Sequence, residues 1–539
     1  MLWIGVHLPD LSLETFIASL PADASTPGEG VPDDALDELD ELGPVALIEQ
    51  HRLVAVNAAA RACGLRPGQQ RATALALAPH ARLGEADAAR DAAALLAVAH
   101  AVMAFTPAVS LAGADGVLAE VQASLRYFGG LECLLERLRT ALAPLGHVLR
   151  IARAPTAQAA HWLASWRDDT RAAAPPPATP AQWRACIGAV PVALLAAAAA
   201  HRAALEALGL ASVADLCRQP RAGLVRRFGG ALLAEIDRAC GDLGDPRTPL
   251  QPAAEFDSRI ELFMRADDSA ALLAGAAVLL NRLTAWAGAC HGRVAGFELR
   301  LHHETRRKTL ADAAARTTTL EIGLGEPVTD TAHLHALLRE RLQRLPLAAS
   351  VIELSLHCHA LTPGAPPNAE LFPSAASVGE GWQRLLERLE ARLGPHNIQR
   401  LQPVADHRPE RATAVTAGAA GPARGPGTRG LPLDLSTPAA ADATAAGDPS
   451  HWPRLRRPVW LLAQPQPLRE QGGTPLLGGR ALWLVAGPER IEAGWWDGGH
   501  AARDYFIAQG DDGALLWVYR YRHAPPASES GWYLHGRFG

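Results

Sequence analysis

The chain has 539 residues, which is too long for a single hydrophobic core and predicts several domains. Hydrophobic residues make up 49% of it and charged residues 20%, as in an ordinary folded protein. The formal net charge of −5 excludes a uniformly basic protein that coats DNA, although it leaves room for a local basic groove.

The cysteines and the N-terminal segment indicate whether the chain holds a metal or disulfides and in which compartment we expect it. The seven cysteines are widely spaced and none forms a Cys-x-x-Cys pair, so neither a disulfide framework nor a zinc site is indicated. His357-Cys358-His359 lies on an alternating strand, where Cys358 points away from the two histidines, and we expect no metal there. The first apolar run, Leu2 to Val6, has no basic lead and we find no transmembrane run, so we expect a cytoplasmic protein.

The first 80 residues alternate short strands and helices around one acidic insert. We predict a strand over Leu2 to Val6, a helix over Leu11 to Leu20, strands over Val45 to Glu49 and Leu53 to Val56, and a helix over Asn57 to Cys63. Residues 22–42 are rich in Asp, Glu, Pro and Gly. They predict a solvated acidic loop between two core elements.

The stretch from Phe105 to Gly130 contains the most informative motif of the first domain. Gly116 to Val121 alternates as a strand does, and Asp115 precedes it at a turn. Tyr127-Phe128-Gly129-Gly130 then leads into a helix predicted over Leu131 to Leu145. A strand over Val148 to Ala152 and a helix from Thr156 follow.

These motifs resemble the two metal-binding motifs of the Y-family translesion DNA polymerases. In that family the first strand carries an Asp, then Met-Asp-x-Phe-Phe-Ala-Ser-Val-Glu, and matching its final Glu to Glu14 puts Gly5 and His7 on the two Asp positions. The second motif is Ser-Ile-Asp-Glu-Ala-Phe-Leu-Asp-Val, which puts Asp115 on the Asp and Gly116 on the adjacent catalytic Glu. The family's reaction needs two divalent cations held by carboxylates, and a glycine offers no ligand.

Two further positions of this resemblance are changed. Asn57 to Gly68 resembles the fingers motif, in which a Tyr and an Arg contact the incoming triphosphate; Ala58 stands on the Tyr, and Arg61 is present. Ala154-Pro155 stands where the family has an Asn-Lys pair with a phosphate-binding lysine. Four sites that serve the nucleotide or its metals are changed on one scaffold, so the resemblance implies a degenerate polymerase without catalytic residues, metal or cofactor.

Residues 176–250 are largely helical. Leu205 to Leu216 pairs with Leu224 to Ile236 in a helix, glycine turn, helix pattern that resembles the helix-hairpin-helix thumb of the Y family. Such hairpins offer backbone N–H groups and nearby arginines to DNA phosphates without reading the base sequence. The phosphate candidates are Arg226, Arg227 and Gly229. The alternative, which the sequence supports equally, is that these arginines lie on an ordinary helical surface and bind no phosphate.

Residues 253–362 predict a small sheet with two helices, in the order strand, helix, strand, strand, helix, strand. This order resembles the little-finger domain of Y-family polymerases, which packs against DNA. Phe297, Leu299 and Leu301 should meet the helices, while Glu298, Arg300 and His302 should face solvent or DNA. The one basic cluster, Arg306, Arg307 and Lys308, is either a DNA contact or a solvated hairpin tip.

Residues 363–410 hold a short candidate peptide and a helix over Gly381 to Leu393. Pro367 to Pro373 resembles the bacterial sliding-clamp-binding peptide Gln-Leu-Ser-Leu-Phe, with Asn368 in the place of Gln and Leu371-Phe372 in the last two places. Two apolar side chains in such a stretch call for a partner that buries them. Leu431 to Leu435 is a rival that lacks the aromatic residue, and it lies in a flexible linker predicted over 411–450.

The last segment, 451–539, is a small strand-rich module that holds seven of the 13 tryptophans and four of the five tyrosines. Trp and Tyr dominate the hot spots of protein interfaces, and they also fill the cores of small domains. We expect both roles here. The candidates for partner contacts are Trp495, Trp496, Tyr505, Trp517 and Trp532.

The chain as a whole predicts an α+β multidomain protein. Its predicted parts are Y-family polymerase-like palm and fingers (1–175), a helix-hairpin-helix thumb (176–250), a βαββαβ little finger (253–362), the clamp-peptide region (363–410), the linker and the C-terminal β-rich module. The resemblance implies the non-catalytic, polymerase-like subunit of a bacterial mutasome, induced by DNA damage. Such a subunit recruits an error-prone C-family DNA polymerase and a RecA-like accessory protein to the β sliding clamp on DNA, for mutagenic translesion synthesis at the nucleoid.

One alternative comes from a different functional class. An active low-fidelity polymerase with a shifted Mg²⁺ site would use Asp10, Asp115 and Glu120. Strand alternation or a proline turn aims two of these carboxylates poorly. A plain DNA-binding protein without partners is a third reading, and it leaves the aromatic tail unexplained.

Overall fold

The structure is a computed structural model that describes residues 1–20, 43–168, 177, 179–304, 316–347, 349–364, 375–394, 397–417, 457–458, 460–522 and 531–538. The chain divides into two compact units, Met1–Phe372 and Pro373–Gly539. Several predictions lie outside the described residues: the acidic insert, the basic cluster Arg306–Lys308, the clamp peptide with Asn368, Leu371 and Phe372, and its rival at 431–435. They stay predictions.

An antiparallel four-stranded sheet lies in the segment predicted as the palm, with the order β5-β6-β1-β7, and the predicted domain names are used below as labels. Its strands are β1 (Trp3–His7), β5 (Val109–Ala112), β6 (Gly116–Glu120) and β7 (Arg150–Ala154). Apolar residues of one face pack against helices Ala88–Met103 and Leu131–Leu142, and helix Ala157–Trp166 lies against the other face. Burial on both faces explains why β1 and β6 are apolar along most of their length.

A second, smaller sheet corresponds to the fingers. Its order is β3-β2-β4, with β2 (Val45–Glu49) antiparallel to β3 (Arg52–Val56) and parallel to β4 (Arg82–Glu85). Short helices accompany it at Leu11–Ile17, Ala58–Ala62 and Arg71–Leu77. Asn57 begins the second of these helices, because its Oδ1 accepts from the N–H groups of Ala60 and Val45, each at 2.9 Å.

The thumb is helical, as predicted. Its α-helices are Pro180–Gly188, Arg202–Ala207, Val213–Cys217, Arg221–Phe228 and Gly230–Cys240. A turn at Gly229, with φ +82°, joins the last two helices into a hairpin. Leu224, Phe228 and Leu232 are buried in the core that the thumb shares with helix Ala157–Trp166.

The little finger has the predicted βαββαβ order. Its elements are β8 (Phe256–Ala266), helix Ser269–Ala289, β9 (Gly292–His303), β10 (Thr317–Val328), helix Thr331–Arg344 and β11 (Val351–Pro363). The sheet order is β10-β9-β11-β8, with every neighbouring pair antiparallel. Phe297, Leu299 and Leu301 are buried as predicted.

The structure corrects one expectation, which was that no segment is apolar enough to span a membrane. Helix Ser269–Ala289 is long and apolar enough to do so by length and composition. Its residues Leu279, Leu283 and Trp286 are fully buried in the core of the little finger. The same apolar composition is therefore explained by its position as the core helix of this domain.

The second unit begins with helix Ala375–Leu393 and contains three sheets. The largest has the order β14-β21-β20-β19-β18; β15-β16-β17 and β12-β13 are smaller. The strands are β12 (Gln399–Pro403), β13 (Thr413–Ala417), β14 (Trp460–Pro467), β15 (Arg469–Gln471), β16 (Thr474–Leu477), β17 (Arg480–Ala481), β18 (Trp483–Ala493), β19 (Ala501–Gln509), β20 (Leu515–Tyr521) and β21 (Trp532–Arg537). Strand β13 occupies the start of the predicted linker, where pairing with β12 orders the chain.

Candidate functional site

The two glycines at predicted metal-ligand positions face the backbone of a helix or a packed side chain. A Cβ on Gly5 would lie 2.7 Å from the carbonyl carbon of Ala160 and closer still to its oxygen. A Cβ on Gly116 would lie 2.5 Å from the Ala112 carbonyl oxygen and 3.2 Å from Nδ1 of His161. The backbone of helix Ala157–Trp166 thus fills the space at Gly5. At Gly116 the space is filled by the Ala112 carbonyl of β5 and by the His161 ring from that helix, so neither position has room for a carboxylate side chain.

Two imidazoles surround the carboxylate that does stand at a metal-ligand position. Nδ1 of His7 is buried and lies 3.7 Å from Oδ1 of Asp115. The His7 imidazole holds the pKa of Asp115 below its ordinary value, burial acts in the opposite direction, and His161 assists the lowering. Burial in turn lowers the pKa of His161. Asp115 is thus an ionised group with histidine neighbours.

Two other acidic residues of the motifs have structural partners. Oε2 of the buried Glu14 lies 2.9 Å from Nδ1 of His147, and its Oε1 accepts from the Val148 N–H at 2.9 Å. Oε1 of Glu120 accepts from the backbone N–H groups of Leu2 and Gln122. These carboxylates fix neighbouring backbone.

The structure separates Glu120 from Asp115 in the alternative metal site, although Asp10 and Asp115 line the same cleft. Glu120 pairs with Trp3 in the sheet, whereas Asp115 lies just beyond the pairing of Gly116 with His7 at the other end of β6. At about 3.3 Å per strand residue, five residues separate Asp115 and Glu120 by roughly 16 Å. Two metal ions that catalyse phosphoryl transfer lie about 4 Å apart, so this set is too dispersed to hold them.

A cleft of about 370 Å³ opens beside Asp115, between the palm and the fingers. Three carboxylates, from Asp10, Asp91 and Asp115, line it, and none of its described lining residues is a lysine or an arginine. Asp91 accepts hydrogen bonds from Ser12 and, at 2.7 Å, from Thr15. Unless a cation lies between them, the carboxylates of this cleft repel a triphosphate.

Arg61, the cation of the fingers motif, is bound within its own hairpin. Its Nε and Nη2 donate to the Val56 carbonyl oxygen at 3.2 and 2.9 Å. The guanidinium therefore stabilises the junction between β3 and the following helix. Ala154, at the place of the family's asparagine, is fully buried.

In the thumb, the phosphate candidates lie together on an exposed turn. Arg226 and Arg227 are exposed in the last turn of their helix, and the structure shows no ion pair for either with a described residue. Gly229 and Gly230 have no atom within 4 Å of an added Cβ. The N–H groups at the start of helix Gly230–Cys240 and two cations are therefore open to an anionic ligand.

The polar face of the little-finger sheet is more acidic than a DNA contact requires. Opposite residues on neighbouring strands share a face, and the register puts Glu298 opposite Glu321, and Glu353 opposite Glu261. Asp257 lies on the same face. The unbroken register between Asp257 and Glu261 and their partner strands contains five carboxylates and two arginines, which are Arg259 and Arg300. This face is thus polar, as predicted, but its charge disfavours contact with phosphates.

The C-terminal aromatic residues separate into a buried and an exposed group. Tyr505, Trp517 and Trp532 are 1–3% exposed, and the rings of Tyr505 and Trp517 stack at 4.1 Å. These three fill the interior of the module, so their assignment to a partner surface is corrected. Trp495 and Trp496 are 71% and 57% exposed and follow the end of β18.

A buried arginine that sequence reasoning missed holds the loop with these two tryptophans. Arg408 is 2% exposed, and its guanidinium bonds the carboxylates of Asp406 and Asp497 and the carbonyl of Gly499. These two carboxylates raise the pKa of Arg408 above its ordinary value, and Arg408 lowers that of Asp497. The sequence held no signal for it, because Arg408 stands among other charged residues such as Arg400 and Arg411 and its partner Asp497 lies 89 residues away.

The sheets, the helical hairpin and the βαββαβ domain together form a fold like that of the Y-family DNA polymerases, with altered motifs. The model of the impB/mucB/samB family matches residues 34–164. Two relatives, both called "Protein ImuB" and from two strains of Caulobacter vibrioides, are 32% identical over 494 residues. The match covers 88% of this chain and the whole of each relative. The chain belongs to the ImuB family.

Solved structures with a similar fold include complexes of the Dbh DNA polymerase and a structure of DinB. A ternary complex of Dbh covers 67% of this chain and all of its own, at 13% identity and a TM-score of 0.35. DinB from Sulfolobus solfataricus covers 66% of this chain and 98% of its own, at 15% identity and a TM-score of 0.34.

Proposed function

We propose that this protein is a non-catalytic scaffold of mutagenic translesion synthesis, which holds other proteins at a stalled primer end. The observation that carries the proposal is the lack of space at Gly5, where helix Ala157–Trp166 packs, and at Gly116, where the Ala112 carbonyl and the His161 ring pack. A two-metal site needs carboxylates at these positions, and the space for them is occupied. No Mg²⁺ or other cofactor is assigned to the protein.

Primer extension tests the missing activity. Purified protein is incubated with a primed template, deoxynucleotides and either Mg²⁺ or Mn²⁺, beside the variant Asp115→Ala. We expect no incorporation from either protein, although both bind DNA. Incorporation by the wild type that disappears in Asp115→Ala would establish a working metal site and reject the scaffold.

The DNA contact belongs to the thumb in this proposal. Arg226, Arg227 and the open turn at Gly229 offer charge and backbone donors to a phosphate, whereas the little-finger face is acidic. Arg306, Arg307 and Lys308 would add a second contact. Binding of this kind does not depend on base sequence, which suits a protein that acts wherever a polymerase stalls.

The partners follow from the rest of the chain. We assign the β sliding clamp to Asn368, Leu371 and Phe372, with residues 431–435 as the rival peptide. The error-prone C-family polymerase and the RecA-like accessory protein are assigned to the C-terminal unit through Trp495 and Trp496. Separate modules on one chain raise the effective concentration of each partner at the primer end. We place the protein in the cytoplasm, at the nucleoid.

Two matched variants test the recruitment. Leu371→Ala/Phe372→Ala should abolish capture of the β clamp and leave the two other partners bound. Trp495→Ala/Trp496→Ala should abolish capture of the two other partners and leave the β clamp bound, because the two tryptophans and the clamp peptide lie on different segments. If both variants, each with the wild-type melting temperature, capture all three partners as the wild type does, the scaffold proposal is wrong.

A further inference from the structure

Two segments that are far apart in sequence meet around one guanidinium in the C-terminal unit. Arg408 donates from Nε to Asp406 Oδ1 at 3.0 Å, from Nη2 to Asp406 Oδ2 at 2.6 Å, and from Nη2 to Asp497 Oδ2 at 2.6 Å. Nη1 donates to Asp497 Oδ1 at 2.9 Å and to the Gly499 carbonyl at 3.1 Å. Residues 406–408 and 497–499 are thereby joined by three hydrogen bonds, two to the Asp497 carboxylate and one to the Gly499 carbonyl.

The same contacts determine the path of the loop after β18. Gly494 has φ +84°, and a Cβ there would lie 2.5 Å from Nη1 of Arg408. Asp497 Oδ1 also accepts from the Gly499 N–H at 3.0 Å. The loop therefore closes around the guanidinium, and its glycines allow the close approach.

The two exposed tryptophans lie on this closed loop. Their rings meet edge to face, with centroids 4.7 Å apart, and the Arg408 guanidinium lies 5.7 Å from the centroid of the Trp496 ring. Trp495 and Trp496 are exposed, but the backbone beneath them is fixed by a residue that is 2% exposed. This arrangement presents two large apolar side chains in one orientation.

We propose that Arg408 is the positioning residue of the partner surface formed by Trp495 and Trp496, and that this surface is complete only when residues 406–408 are docked on it. The inference rests on the proposed function, because it concerns the surface assigned there to the C-family polymerase or the RecA-like protein. A rigid pair of tryptophans binds more tightly than a mobile pair, since less conformational entropy is lost on association.

The test needs a variant that removes the arginine without leaving a buried charge. Arg408→Met combined with Asp406→Asn and Asp497→Asn replaces the ionic group by neutral side chains of similar size, and such replacements are often neutral for stability. Arg490→Gln is the matched control. Arg490 makes a two-bond pair with Asp504 in the same sheet, at 2.8 and 3.1 Å, but does not touch the loop.

Two readouts are measured on the full-length protein. The first is hydrogen exchange of the backbone amides of residues 494–499. The second is the dissociation constant for the purified C-family polymerase and for the purified RecA-like protein of the same genome. We expect faster exchange and about tenfold weaker binding of one partner in the triple variant, with no change in Arg490→Gln. The single variant Arg408→Lys should also show faster exchange and weaker binding than the wild type, since an ammonium cannot bond two carboxylates through a planar fork.

The outcomes separate the inference from the function on which it rests. If the triple variant exchanges faster but binds as the wild type does, while Trp495→Ala/Trp496→Ala binds weakly, the surface is right and the role of Arg408 is wrong. If exchange of the loop is unchanged, the positioning role is wrong regardless of the partners. If the wild type binds neither protein, the proposed partner assignment fails, and the inference fails with it.

Discussion

At the scale of single residues, glycine carries the main functional information of the palm. The sequence alone indicated that Gly5 and Gly116 supply no metal ligand. It could not indicate that the space for a ligand is filled, because that depends on how closely helix Ala157–Trp166 approaches the sheet. Nor could it indicate that His7 and His161 lie beside Asp115, since three segments contribute these residues.

Substitution of Gly5 measures this close approach. Gly5→Ala places a methyl group against the Ala160 carbonyl, a backbone group that cannot turn aside. We expect a loss of about 3 kcal/mol in the free energy of unfolding, at the upper end for overpacking. Chemical denaturation of the unit containing the palm measures it.

Gly288→Ala is the control, because it lies in helix Ser269–Ala289 and an added Cβ has no neighbour within 4 Å. Alanine in a helix is more favourable than glycine by about 1 kcal/mol, so this variant should be as stable as the wild type or more stable. If Gly5→Ala were as stable as the wild type, helix Ala157–Trp166 would be able to move away from Gly5, and the metal-ligand positions would be open.

His100 should make stability depend on pH. It is 5% exposed in helix Ala88–Met103, Nε2 has no partner among the described residues, and burial lowers its pKa from 6.5 to about 4. Between these values the unfolded chain binds a proton that the folded chain does not, so stability falls as the pH falls. The stability lost when the pH falls from above 6.5 to below 4 is about 3 kcal/mol.

Thermal unfolding of the wild type and His100→Leu between pH 7.5 and 4.5 tests this assignment. Leucine does not titrate, so the difference in melting temperature between the two proteins should shift in favour of the variant as the pH falls below 6.5. Parallel pH curves for the two proteins would show that His100 is protonated equally in both states.

At the scale of elements, periodicity predicted the little finger well because its strands have one buried and one polar face. The structure has the predicted βαββαβ order of strands and helices over this segment. The strand expected at Val148 to Ala152 is displaced to Arg150–Ala154, since Val148 is instead fixed by Glu14. Alternation could not reveal the excess of carboxylates, which arises from the register of four strands.

This charge distribution predicts which element binds DNA. Arg226→Gln/Arg227→Gln should weaken binding to a primed template and reduce the slope of log affinity against log salt concentration by about 2. Arg259→Gln/Arg300→Gln removes the same charge from the acidic face of the little finger and should change neither quantity. Fluorescence anisotropy over a salt series measures both. An equal loss in the two double variants would mean that the acidic face contacts phosphates.

At the scale of the whole molecule, the C-terminal module is discontinuous in sequence. Composition placed its start at residue 451, after a stretch rich in Ala, Gly and Pro. In the structure, Arg408 binds Asp497, and Glu410 lies 3.1 Å from Arg503 of the main sheet. Propensity and periodicity do not report such pairs, because the partners are about 90 residues apart and each residue alone reads as an ordinary surface charge.

Truncation distinguishes the continuous from the discontinuous module. A chain of residues 373–539 keeps every contact of Arg408 and Glu410, whereas a chain of residues 452–539 leaves Asp497 and Arg503 without these partners. Arg503 is largely buried, with its Nη1 3.1 Å from the hydroxyl of Tyr505, so an unpaired charge would disturb the stacked rings of the core. We expect the longer chain to show a cooperative transition and a strong near-UV circular dichroism signal.

The shorter chain should lose both signals, although it holds every tryptophan and tyrosine of the predicted module. Arg408→Met in the longer chain should lower its melting temperature by several degrees, because it removes the guanidinium that bonds both Asp406 and Asp497 and leaves Asp497 with its pair to the exposed Arg411. If residues 452–539 alone melt cooperatively at the temperature of the longer chain, the module folds without its first segment. The contacts of Arg408 would then be a later attachment to a complete domain, and the two tryptophans would keep their orientation without it.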